Sequence, residues 1–151
     1  MGDQILGIND FGTSPPIGHR SQEADATAPD GSEIRLLVDG RHSALKASLC
    51  EVTLPAGQVS RPVQHQTVEE IWYVLDGQGH VWRSPSRSGD YSQETVTVGP
   101  GDALTIPVGW RFQFRAYGKS PLRFLCYTNP PWPGSQEAQP ADPGGLGKST
   151  V

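Results

Sequence analysis

The chain lacks any apolar run near the roughly 18 to 20 residues that a membrane-spanning helix needs, and only 35% of its 151 residues are hydrophobic. Its start shows no basic stretch followed by an apolar one, so no leader peptide is expected and the expected compartment is the cytoplasm. Positive charge is scarce: 12 Lys and Arg stand against 16 Asp and Glu, for a formal net charge of −4. That balance excludes the basic footprint of a nucleic-acid binder. Cysteine is nearly absent. Cys50 and Cys126 are the two present, both within apolar strand-like runs, and are read as reduced core thiols, with a disulfide left open. Neither lies in the basic setting that activates a thiolate. There is no G-x-S-x-G elbow for a serine nucleophile. The glycine-rich turns join strands instead of opening helices, which argues against a phosphate loop. No long helical pattern and no internal repeat stand out.

What is abundant is turn chemistry, with 18 Gly and 14 Pro. Between the turns lie short β-type runs. Residues 34–38 end at Asp39-Gly40, residues 45–54 at Pro55-Ala56-Gly57 and residues 70–75 at Asp76-Gly77. Residues 79–83 enter a polar loop at 84–93, and residues 94–98 end at Gly99-Pro100-Gly101-Asp102. Residues 103–106, 112–116 and 122–127 complete the set. About eight short strands with Gly/Pro turns imply an all-β sandwich or jelly roll. Residues 1–32 are expected as a loose polar arm, 33–132 as the barrel, and the Pro/Gly/Ser-rich 133–151 as a disordered tail.

Two glycine-anchored stretches carry the chemistry. In the first, Gly57 is followed by five residues, Val63-Gln64-His65, four residues, Glu70, six residues and Gly77. In the second, Gly101 is followed by five residues, Pro107-Val108-Gly109, two residues, Phe112, three residues and Ala116. These stretches resemble the paired motifs of the cupin superfamily, and the chain is similar to small single-domain bacterial cupins of the sugar-isomerase-like group. The resemblance implies a double-stranded β-helix, or jelly-roll, barrel. It also implies a centre where three His and one Glu hold a divalent metal. His65 and Glu70 occupy two of those places; Val63, Phe112 and Ala116 occupy the first His, the last His and the Asn positions. Two donors leave most of a coordination sphere to water. No cofactor is therefore expected, and if a metal is bound the candidate ligands are His65, Glu70 and His80. Homodimerisation is implied by the resemblance alone.

Side chains two apart on a strand share a face. Val63 and His65 then point together, and Glu70 points with Trp72. For residues 111–116 two phases are open. In one, Phe112 and Phe114 face inward and the pocket is aromatic. In the other, shifted by one, Arg111, Gln113 and Arg115 face inward. The P-x-G-x-x spacing and the cost of burying two arginines favour the first. The expected site comprises His65 and Glu70 as acid–base residues, with Val63, Trp72, Trp82, Phe112 and Phe114 lining a pocket for an aromatic or apolar metabolite. Such a pair suits isomerisation, cyclisation or elimination beside a carbonyl. The alternatives are a non-catalytic binding cupin and a metal-dependent one with an unusual His65/Glu70 site. The fold does not choose among them.

Overall fold

The computed structural model describes residues 13–85 and 94–151. Eleven strands are present: β1 (Ala26–Thr27), β2 (Glu33–Val38), β3 (Ser48–Leu54), β4 (Val63–His65), β5 (Glu69–Asp76), β6 (Gln78–Ser84), β7 (Glu94–Val98), β8 (Ala103–Ile106), β9 (Arg111–Tyr117), β10 (Leu122–Asn129) and β11 (Ala138–Pro140). They form two antiparallel sheets, one ordered β1-β2-β3-β10-β5-β8 and the other β11-β4-β9-β6-β7. The helical elements among the described residues are 3₁₀ turns at Gly40–His42 and Ser135–Glu137. None is long and apolar enough to cross a membrane. Most of the expected polar loop, residues 86–93, and the first part of the expected arm, residues 1–12, lie outside the described residues.

Period-two alternation decides which side chains enter the space between the sheets. On β5, Glu70, Trp72 and Val74 are buried between more exposed neighbours, and on β10, Leu122, Phe124, Cys126 and Thr128 are. Strand register stacks these residues in rows. Ser48, Thr128 and Glu70 form one row, Cys50, Cys126 and Trp72 the next, and Val52, Phe124 and Val74 the third. The third row belongs to a packed aromatic core. Trp72 stacks on Phe124 at 4.0 Å and meets Phe114 and Phe112 edge-on at 5.1 and 5.9 Å. Each such side chain contributes about 1.5–3 kcal/mol by leaving water. The opposite row, with its hydroxyls and carboxyl, is where the interior stays open.

Strand β9 adopts the aromatic-inward phase. Phe112, Phe114 and Ala116 are in the core, facing Val63, Val81 and Gly79 across the ladder. Arg111, Gln113 and Arg115 lie on the other face. Gln113 is nevertheless fully buried, because residues 144–151 cover that face. Its amide donates to the carbonyls of Ser60 and Gly147 and accepts from Gly144 N–H. The segment 133–151, expected to be disordered, is thus laid down in extended contact. Leu146 packs with Val59 and Trp82, and Thr150 N–H donates to the Val59 carbonyl. Gly144 passes so close to the Trp82 ring that a Cβ there would sit 1.8 Å from it. The physical reason is that these contacts are made largely by backbone, and a Gly/Pro/Ser composition does not reveal them.

Candidate functional site

His65 ends β4 and Glu70 begins the inward row of β5, so the turn at 66–68 sets their relation. That turn is braced by Glu137. Its carboxylate accepts from Thr67 N–H at 2.6 Å, the Thr67 hydroxyl at 2.7 Å and Val68 N–H at 2.7 Å. Burial pushes the Glu137 carboxyl up, but these donors outweigh it and hold the group below the usual carboxylate range. Next to it, Ala138 of β11 pairs with His65 across the ladder.

His65 is 3% exposed. Its ring is flanked edge-on by Phe112 at 5.1 Å and Trp132 at 5.2 Å. Its Nδ1 lies 3.5 Å from Glu70 Oε2, too far for a good hydrogen bond, and has no hydrogen-bond partner among the described residues. A buried polar atom without a partner is rare and asks for an explanation. Glu70 has one: its Oε1 accepts from Trp72 Nε1–H at 2.7 Å. Burial raises the Glu70 carboxyl above its ordinary range, only partly offset by the His65 charge and by hydrogen bonds from Trp72 and Cys126, and the nearby Asp30 charge raises it further.

Both residues line a cavity of about 470 Å³. Trp72, Phe124, Val52, Ile34, Leu36 and Trp132 supply apolar wall, and Asp30, Glu70, Cys126, Ser48 and Thr128 supply polar groups. Asp30 Oδ1 accepts from Ser32 N–H at 2.9 Å and the Ser32 hydroxyl at 2.6 Å. Burial nonetheless lifts its carboxyl above the ordinary range. Cys50 and Cys126 are free thiols directly opposite one another on β3 and β10, and both line the cavity. The Cys126 thiol is pushed well up by its hydrogen bond with Cys50 and by burial.

Of the expected site residues, the structure brings His65, Glu70, Val63 and Trp72 together on the cavity. Phe112 supports the His65 ring. Phe114 belongs to the packed core with Trp72 and Phe124 and is not part of the lining. Trp82 is displaced more: cross-strand pairing with Gln113 puts it on the outer face of its sheet, under Gly144 and Leu146. His80 pairs across the ladder with Arg115, and its Nδ1 accepts from Arg115 Nε–H at 2.9 Å. That phase turns it from His65 and Glu70, so the candidate triad with His80 does not form. Among the described residues no group of three or more His, Cys, Asp or Glu is arranged to hold a metal ion. With Val63 and Phe112 apolar and buried, the donors present do not fit the metal centre that the motif spacing implies.

Sequence reasoning missed Asp30, Trp132 and the brace at Glu137. Asp30 sits in Asp30-Gly31-Ser32, which reads as a turn, and Trp132 in a proline-rich stretch. Residues 26–30 form part of the cavity wall, so the expected arm and the barrel share the site.

Two antiparallel sheets enclosing a cavity with a His–Glu pair at its polar end define a jelly-roll barrel. The cupin domain family model matches residues 50–128, and the chain belongs to the cupin family. It is 34% identical over 104 residues to the uncharacterized protein MJ1618 of Methanocaldococcus jannaschii, covering 68% of this chain and 77% of that one. Among solved structures, a predicted oxalate decarboxylase from Thermotoga maritima aligns with a TM-score of 0.62 at 19% identity, over 76% of this chain and 98% of that one. A mutant of Bacillus subtilis oxalate decarboxylase OxdC aligns with a TM-score of 0.69 at 17% identity, over 87% of this chain and 34% of that one. At such identities the shared property is the fold.

Proposed function

We propose that this cupin is a small-molecule enzyme that moves a proton on an apolar metabolite without a metal, with His65 and Glu70 as the acid–base pair. The observation that carries the reading is the partnerless, buried His65 Nδ1 beside Glu70 on the cavity wall. Nδ1 takes the proton from carbon next to a carbonyl. Glu70, whose carboxyl is kept protonated more readily by burial, donates its proton to the carbonyl oxygen. Return of the proton from His65 to a different carbon, with the enol O–H proton going back to Glu70, completes an isomerisation. In an elimination the enol O–H proton goes back to Glu70 while the leaving group departs from the β-carbon with the proton held by His65. A mostly apolar cavity wall favours both transfers.

The test is solvent deuterium incorporation. A panel of apolar ketones and aldehydes is incubated with protein in D2O and read by mass spectrometry. At least one compound is expected to exchange faster with protein than without it. His65→Ala and Glu70→Gln are each expected to lower that rate by about 10²–10⁴-fold, the usual share of general acid–base catalysis. Full exchange in both variants refutes the pair. A compound that binds but returns unlabelled and unchanged supports the second reading, a binding cupin, which the same cavity serves.

A further inference from the structure

Carboxyls outnumber basic groups on the cavity wall. Asp30, Asp39 and Glu70 line it together with His65, and among the described residues no Lys or Arg does. Asp39 is already paired with Arg41 at 2.9 Å. Asp30 and Glu70 have no such cation. Asp30 Oδ1 is held by Ser32. Arg61, whose charge reaches Asp30, is exposed and its Nε–H donates to the Val151 carbonyl at 2.9 Å. Independently of the acids, the buried His65 Nδ1 also lacks a partner. Two aromatic side chains, Trp132 and Trp72, line the same space.

An anion in this cavity would meet the Asp30 carboxyl with no Lys or Arg among the lining residues to offset it, which in a low-dielectric interior is unfavourable. A protonated amine meets the reverse. Its N–H groups have acceptors waiting, and indole faces attract a cation as well as an apolar body.

We propose that the cavity takes a small aromatic or alicyclic organic amine, with its ammonium against Asp30 and its apolar body along Trp72 and Trp132. This rests on the reading that His65 and Glu70 act on a cavity-bound small molecule. Asp30 anchors the cation and leaves that pair free for the reacting group.

The experiment is calorimetric titration of the full chain with isosteric triples of amine, alcohol and carboxylate on three bodies of increasing size. One triple is tryptamine, tryptophol and indole-3-acetate; phenyl and naphthyl analogues give the other two. The expected result is that the tightest ligand is an amine, at least about tenfold tighter than its alcohol, the effect of one hydrogen bond to a charged group. The carboxylates bind weakest. Asp30→Asn, which keeps an acceptor for Ser32, is expected to bring amine and alcohol within about threefold while the alcohol's affinity holds. An alcohol or carboxylate that binds as tightly as its amine overturns the amine assignment and leaves the acid–base reading standing. Amine preference that survives in Asp30→Asn overturns the anchor. If no member of any triple binds the wild type, the amine assignment falls. The acid–base reading is judged apart from it, by deuterium incorporation.

Discussion

Glu70, the proposed acid, carries a measurable cost to folding. Its carboxyl is raised in the folded chain, chiefly by burial, so the native state holds its proton to higher pH than the unfolded state does. Stability from that difference is fully present below the ordinary value of 4.5 and is lost as pH rises through the folded value. A glutamine cannot ionise and keeps an oxygen to accept from Trp72. Glu70→Gln is therefore expected to melt higher than wild type at pH 7, with the gap closing as pH falls toward 4. Melting curves from pH 4 to 8 check this. A gap that widens on acidification would mean that Glu70 is an ionised, stabilising partner of His65. The motif spacing made His65 and Glu70 legible, since each occupies a fixed offset from Gly57 and Gly77. It left Asp30 illegible, because a turn aspartate looks the same whether its carboxyl faces water or a cavity.

At the scale of elements, the 66–68 turn and its brace decide whether His65 and Glu70 face each other. Glu137→Ala removes three hydrogen bonds to a carboxylate and leaves the N–H groups of Thr67 and Val68 without it. A loss of about 2–3 kcal/mol in unfolding free energy is expected, as for hydrogen bonds to a charged group. Chemical denaturation at pH 7 measures it, and a loss under about 0.5 kcal/mol, the size of an ordinary surface change, would deny the brace. The pH sign is opposite to that of Glu70. Glu137 is lowered in the fold, so its contribution is present above 4.5 and lost as pH falls through the folded value. Strands β2, β3 and β5 to β10 were readable because alternation and Gly/Pro turns are properties of the residues themselves. Strands β1, β4 and β11 were not. They are two or three residues long, too short for a period to show, and β11 lies in a composition that suggested fraying. Trp82 misled for a related reason: its partner, the chain around Gly144 and Leu146, makes an outer-face residue look like a pocket wall.

At the scale of the whole molecule, residues from the first 32, from both sheets and from the C-terminal segment converge on one cavity. The barrel supplies a largely apolar interior, the aromatic core fills one end of it, and the other end keeps His65, Glu70 and Asp30 around open space. Val63 and Phe112 place buried apolar side chains beside this end. The central claim is that the pair works as acid and base in its own right. The most direct measurement is deuterium incorporation into the active ketone or aldehyde by protein stripped with a chelator, before and after adding back iron, manganese, nickel or zinc. The claim predicts the same rate in stripped and reloaded protein, and its loss in His65→Ala. A rate abolished by the chelator and restored by one of these metals would contradict it.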